Sequence, residues 1–560
     1  MGRSASSGKA APSRRSRGPR GCLGRFLVPL AAGLLLAVYA MGWGIAWWTG
    51  APAVQNLATP ARPLAAAEVA LAADLTGRDA TGKPVLRQAG FDRLLKLIAE
   101  ADDLLVLDQF LVNTFMTGPD GGAPPGRDLA GELAAALVRQ KTAVPGLRVL
   151  FITDPINGCY RAGCPPALAA LPKAGIPVLV TDLDATPGRN WLTGPLQRAL
   201  EPLLDTLPPA RAAVLPNPFG RNAGQLSATD WLRLLSFRAN HRKVAACRTR
   251  DGRCQALVSS GNPHNASAAN GNLAVWLSGP AAGDILRSEV ELARGILLRA
   301  PDNCHGPVPA WELWRDLDRW PLPPLPAPPP AAAARTSDRP VAPSHGSPGT
   351  GDRPVAPTVS FLTDARIGEA AGRLLATAGP GDRVDALLFQ LADPPLIRAF
   401  QDAARRGACV RLILDSNRSS FGRDKRGIPN QVTAAAMHDW AARHDASLTI
   451  RWFATAGEQG HFKALRVAGS RAAAPDALLT GSANFTGRNL HGYTLEADLL
   501  LSPAGAAGRQ FDGIFATLWE NQDGLVYSEG YPARALAPGP SRWARQLAAA
   551  LAEITGFCTY

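Results

Sequence analysis

The sequence predicts two α/β sandwich halves packed about a pseudo-twofold axis and preceded by one transmembrane helix. Three observations carry this: an order of helices and strands that occurs twice, a proline-rich stretch between the copies, and one long uncharged apolar run near the N-terminus.

In the first copy a helical pattern over Phe91 to Ala101 leads to the apolar run Leu104 to Val112. A helix near Asp128 to Gln140 and the strand LRVLFITD, ending at Asp154, follow. The second copy repeats the order, with a helix near Ala365 to Ala378, the strand DALLFQL, a helix over Pro395 to Arg406 and VRLILD ending at Asp415. Strands separated by helices of that length predict right-handed crossovers and a mostly parallel sheet covered on both faces. Between the copies, residues 319–358 are dominated by Pro, Ala, Gly and Ser and repeat DRPVAP at Asp338 and Asp352. Such sequence cannot bury a core and predicts an extended linker.

The N-terminal 25 residues carry Arg3, Lys9, Arg14, Arg15, Arg17, Arg20 and Arg25 without one acid. From Phe26 to Trp48 the chain then runs 23 residues without a charge, enough for a helix to cross roughly 30 Å of hydrocarbon. The arginines before the span predict a cytoplasmic N-terminus and everything past Thr49 outside the cytoplasm, as for a single-pass, periplasm-facing inner-membrane protein. A secretory signal has the same charged start but a shorter apolar region; Ala51-Pro52-Ala53 leaves cleavage as the alternative. The chain therefore divides into a basic tail over 1–25, an anchor over 26–48, a first half over 66–318, the linker, a second half over 359–535 and a helical tail over 536–560.

Removing those seven cations from the formal charge of +13 leaves +6 for the rest of the 560 residues. Basicity is thus concentrated in the tail, and no nucleic-acid surface is needed to explain it. Eight cysteines suit an exported domain. Cys247 and Cys254 bracket an Asp251-Gly252 turn signal and predict a disulfide across it; Cys159 and Cys164 flank a second short loop. The pair Trp311 and Trp314, three residues apart on one helix face, predicts packing into the core.

The chemically informative residues are duplicated as well. His241-Arg242-Lys243 precedes Ser260-Gly261-Asn262, and His461-Phe462-Lys463 precedes Ser482-Ala483-Asn484, with Lys-to-Asn separations of 19 and 21 residues. One His-x-Lys arises by chance; two with matching downstream Ser-x-Asn do not. In an extended strand positions i and i+2 share a face, so each histidine projects with its lysine. If the halves face each other, one pocket gathers two imidazoles, two ammonium groups and two sets of short polar donors. That inventory fits phosphoryl transfer. Lys243, Lys463, Asn262 and Asn484 would stabilise phosphoryl charge, one imidazole would attack phosphorus and the other protonate the leaving oxygen. No metal or other cofactor is required, because the lysines supply the positive charge.

These elements resemble the paired His-x-Lys motifs of the phospholipase D superfamily, over roughly residues 85 to 300 and 359 to 530. The resemblance departs at one position: where the family places Asp five residues after Lys, this chain has Arg248 and Ala468. Downstream of the second motif, Glu496 in Leu495-Glu496-Ala497-Asp498 resembles the family acid that reaches the first histidine, whereas the same offset from Asn262 gives Ala274. The resemblance therefore implies His241 as nucleophile, partnered by Glu496, and His461 as general acid. It implies phospholipid and membrane as partners, water or an alcohol as acceptor, and phospholipase D hydrolysis or phosphatidyl transfer of the cardiolipin synthase kind. Competing readings are an envelope nuclease with the same inventory and a degenerate, noncatalytic member. Arg211, Arg221, Arg418 and Lys425, in loops, are either solvated or lining an anionic channel.

Overall fold

The computed structural model describes residues 20–48, 57–114, 126–158, 164–185, 190, 192–217, 225–320, 322, 356–420, 423–424, 426–469, 476–535 and 540–556. Nearly all of the expected linker falls outside these residues.

Helix α1 (Arg20–Trp48) comes first. The first half then runs β1 (Val69–Arg78), α2 (Ala89–Glu100), β2 (Leu104–Gln109), α3 (Leu129–Ala143), β3 (Arg148–Thr153), α4 (Pro166–Lys173), β4 (Val178–Val180) and α5 (Gly194–Thr206). It continues through β5 (Lys243–Arg248), β6 (Cys254–Ser259), β7 (Asn272–Ser278), α6 (Pro280–Arg299) and α7 (Ala310–Asp318). The second half repeats the order: β8 (Thr358–Thr363), α8 (Ala365–Thr377), β9 (Arg383–Leu388), α9 (Pro394–Arg405), β10 (Cys409–Leu414), α10 (Asn430–His444) and β11 (Leu448–Phe453). Strands β12 (Lys463–Ala468), β13 (Asp476–Gly481) and β14 (Ala497–Leu501) follow, then α11 (Gly505–Glu520) and the C-terminal α12 (Pro540–Thr555).

Each half builds a nine-stranded sheet. The shared order is β4-β3-β2-β5-β6-β7-β1 in the first and β11-β10-β9-β12-β13-β14-β8 in the second, so every strand has a counterpart seven labels on. The sheets are not mostly parallel. Only β2–β3–β4 and β9–β10–β11 pair in parallel, where a helix crosses between strands. The motif-bearing strands enter antiparallel, β5 against β2 and β6 and β12 against β9 and β13.

One face of each sheet packs on its own crossover helices. Leu105 and Leu107 of β2 meet Leu133 and Leu137 of α3, and Leu412 and Leu414 of β10 share a cluster with Phe400 of α9. The other faces look toward each other and share one core, in which Val106, Val244 and Ile285 join Phe361, Leu499 and Phe511. The edge strand Arg62–Pro63 ties the halves further by pairing with β8 of the second sheet.

Three expectations need correction or restriction. Cys247 and Cys254 are both free. The turn sets Cys247 opposite Gln255 and Arg248 opposite Cys254, so the two thiols point to opposite faces of the sheet, Cys247 toward α2 and α3 and Cys254 into the shared core. Cys159 lies outside the described residues. Trp311 and Trp314 are 60% and 37% exposed; Leu313 and Leu317 are the residues α7 buries, while Arg315 and Arg294 cover the indoles. Among the described residues no helix is long and apolar enough to cross a membrane, so the fold leaves the expected anchor unconfirmed.

Candidate active site

Each sheet ends its motif strand at the junction between halves. Lys243 opens β5 and Lys463 opens β12, so both histidines stand just before a strand, where backbone direction is set by outside partners. Those partners come from the other half. Ala239–Asn240 pairs with Thr494–Leu495, and Gly271 bridges Gly460. The His241 amide donates to the Leu495 carbonyl (2.9 Å) and the Gly271 amide to the Gln459 carbonyl (2.8 Å). Each strand leading into a histidine is thereby laid beside the strand leading into the other half's polar partner.

His241 Nδ1 lies 2.9 Å from Glu496 Oε1, and His461 Nδ1 lies 3.3 Å from Asn272 Oδ1. With Nδ1 donating to these oxygens, Nε2 of each ring carries the lone pair. Asn272 is therefore the structural counterpart of Glu496. The expected counterpart, Ala274, lies two residues beyond it, because the connections from the Ser-x-Asn element to the next strand differ in length by two. Both sides have the same supports. Phe110 meets His241 edge-on at 4.6 Å between centroids and Phe389 meets His461 at 4.8 Å. The Lys243 and Lys463 ammonium groups sit 4.8 and 5.1 Å from those same phenyl rings and donate to the carbonyls of His241 and His461 (2.6 and 2.7 Å).

All nine residues singled out in the sequence come together and are buried. Ser260 and Ser482 have their hydroxyls committed: Ser482 donates to Glu496 (2.5 Å), and Ser260 faces Asn272 (3.5 Å) while accepting from Leu273 N. They position the histidine partners. Asn262 and Asn484 behave differently, since their side-chain oxygens are buried without a hydrogen-bond partner. A symmetrical pair of unsatisfied amide oxygens leaves room for a hydrogen-bond donor.

The electrostatics follow from burial around two cations. Burial pushes His241 down to about 4, with Glu496 opposing, and pushes Lys243 down to about 7. Burial and the nearby lysines drive His461 well below the ordinary imidazole range, and burial with Lys243 does the same to Lys463. Burial alone would raise the Glu496 carboxyl, yet His241, Lys243 and the Ser482 hydroxyl outweigh it and hold it below its ordinary value. Asn489 and Thr494 also donate to it.

Sequence reasoning missed Asp154 and Asp415, which end equivalent strands. Asp154 accepts from the Asn240 amide (2.6 Å) and Asp415 from the Gly460 amide (2.8 Å), fixing the residue before each histidine. Their duplication after β3 and β10 was a signal available in the sequence; Phe110 and Phe389, each just after a motif-facing strand, were another. The family's missing Asp falls at the far end of the motif strand, about 17 Å from the lysine at roughly 3.4 Å per residue. There Arg248 pairs with Asp103 (3.3 Å) and Ala468 lies opposite Arg383.

A family model described as the phospholipase D-like domain of cardiolipin synthase matches residues 373–519, the segment that holds His461, Lys463, Ser482, Asn484 and Glu496. That segment belongs to the phospholipase D superfamily. A solved structure of phosphatidylserine synthase from Haemophilus influenzae Rd KW20 aligns with a TM-score of 0.50 at 10% identity, covering 89% of this chain and 97% of that one; the likeness shows the shared fold. A phospholipase D family member, Nuc, from Salmonella typhimurium is 17% identical over 31% of this chain and 98% of that one, with a TM-score of 0.23. No curated protein matches the chain in sequence. Both halves contribute to one site, His241 meeting Glu496 and His461 meeting Asn272, and neither half alone holds a complete histidine pair.

Of the loop cations, Arg418 lines a cleft in the second half. Arg221, Lys425 and the side chain of Arg211 lie outside the described residues.

Proposed function

We propose that this protein is a membrane-anchored phosphodiesterase that acts on phospholipids through a phosphohistidine intermediate, by phospholipase D hydrolysis or phosphatidyl transfer. The observation that carries the reading is the unequal pairing of the two histidines, a carboxylate on His241 and an amide on His461. Glu496 stabilises positive charge on His241 as Nε2 attacks phosphorus. His461 takes up a proton at Nε2 from solvent when the phosphoryl anion binds; the phosphorus–nitrogen bond then forms as the bond to the departing alcohol breaks, and His461 delivers that Nε2 proton to the leaving oxygen. His461 then takes a proton from water or a lipid alcohol, which attacks phosphorus and releases His241. Lys243 and Lys463, with the Nδ2 donors of Asn262 and Asn484, stabilise charge on the phosphoryl oxygens.

Support for a phospholipid comes from the cardiolipin synthase description of the matching family and from the uncharged run after the arginine-rich tail. Purified protein incubated with mixed labelled phospholipids and glycerol, with products resolved by mass, tests the reading. Lipid products uphold it; cleavage of DNA or RNA instead makes the protein a nuclease of the same superfamily. A reporter fused after residue 60 should be active only outside the cytoplasm, and cytoplasmic activity would overturn the proposed topology.

A further inference from the structure

Helix α12 lies at the rim of the site and is tied down along one face. Arg542 pairs with Asp439 of α10 (2.5 Å). Glu553 accepts from the Gly487 amide (2.5 Å), three residues beyond Asn484, and the Thr555 carbonyl accepts from Asn190 Nδ2 (2.8 Å). The opposite face is apolar and uncovered: Trp543, Leu547, Leu551 and Ile554 are 68%, 48%, 53% and 54% exposed. Their spacing makes a continuous stripe along a helix about 24 Å long.

Two features identify what covers the stripe. The first is position. Asn190, which holds the end of α12, also accepts from Gly194 at the start of α5 (2.9 Å). There α1 crosses α5 so closely that a Cβ on Gly42 would meet the Pro195 carbonyl. The end of α12 is thus next to the helix proposed to cross the bilayer, and α5 carries exposed apolar side chains of its own, Leu203 and, just past its end, Leu207, 55% and 52% exposed. The second is charge. At its other end, α12 sends Arg545 into a cleft of about 650 Å³ that Arg418, Arg426 and Arg534 also line, against a single acid, Glu529. An apolar stripe ending at clustered arginines matches a membrane interface with acidic headgroups.

We propose that α12 is an interfacial helix that lays Trp543, Leu547, Leu551 and Ile554 into an anionic lipid leaflet and turns the mouth of the site toward it. The inference rests on the membrane-anchored reading for the position of α1. Its test does not depend on turnover. A photoreactive phenylalanine analogue replaces Leu547 or Leu551, one at a time, in the full chain reconstituted into phosphatidylcholine vesicles with or without phosphatidylglycerol; Lys96 on α2 serves as the control position. Lipid adducts at both α12 positions, several-fold stronger with phosphatidylglycerol and weak at Lys96, are expected. Adducts between two copies of the chain, or lipid labelling no greater than at Lys96, overturn the proposal. In a parallel assay, the double variant Leu547→Ser, Leu551→Ser should raise KM for vesicle lipid about fivefold, with turnover of a soluble nitrophenyl phosphodiester unchanged. An unchanged KM for vesicle lipid also overturns it. If the protein turns over no lipid at all while the adducts form, α12 still docks to lipid and the phospholipid reading is what fails.

Discussion

Glu496 and His241 stand 255 residues apart in the chain and 2.9 Å apart in the fold, and Asn272 occupies the matching place beside His461. A nearly symmetrical site is thus polarised by one change of side chain, carboxylate to amide. Glu496→Gln keeps the shape and removes the charge; kcat/KM should fall by about 10²- to 10⁴-fold with little loss of fold. Asn272→Asp should give His461 a carboxylate of its own and allow label on either histidine. Label confined to His241 in that variant would deny the amide its role in setting direction.

Trapping the intermediate separates the two histidines. His241→Ala should abolish every covalent phospho-enzyme, because the attacking nitrogen is gone. His461→Ala should regain part of the first step with a nitrophenyl leaving group, which needs no proton, and should accumulate label for want of a base in the second step. Peptide mapping after an alkaline quench reads both. Label on His461 with His241→Ala still reactive would reverse the roles.

Ligand binding should take up a proton. Burial holds Lys243 down to about 7 in the free protein, whereas a phosphoryl anion in contact favours the charged ammonium and raises it again. Affinity for phosphate or vanadate is then fullest below about pH 7 and declines as pH rises toward the bound-state value. Calorimetry in buffers of different ionisation enthalpy should register proton uptake near pH 8. Proton release, or an affinity that grows with pH, would contradict the burial argument.

The junction between halves tolerates no side chain at its bridge. A Cβ on Gly271 would stand 2.4 Å from the Phe462 ring, and one on Gly460 would stand 2.1 Å from the Phe453 ring, where the two phenyl groups stack at 5.2 Å. Gly271→Val should cost about 1–3 kcal/mol by overpacking, lowering the denaturant midpoint and lowering kcat as His461 loses its alignment. A variant of full stability and activity would show that the bridge yields freely.

Much of this was written in local sequence. Helices α2, α3, α8 and α9 and strands β2, β3, β9 and β10 follow from apolar periodicity within each segment, and His241, Lys243, His461 and Lys463 announce themselves by repetition. Asp154 and Asp415 were visible at the ends of their strands, but nothing in the sequence says that a carboxylate will reach the amide before a histidine. Strand direction was not local either. Periodicity fixes which side chains share a face, while the partner across the sheet is chosen by long-range packing, so the antiparallel entry of β5 and β12 emerged only in the fold. The free thiols of Cys247 and Cys254 came down to one residue of hairpin register, which sends alternate side chains to opposite faces. The equivalence of Asn272 with Glu496 escaped counting because the connections differ in length, and equal positions in space need not be equal positions in sequence. The sequence by itself determined the duplicated elements and the candidate histidines and lysines; the tertiary structure alone decided which partner each histidine meets, because that contact is made across the junction of two halves.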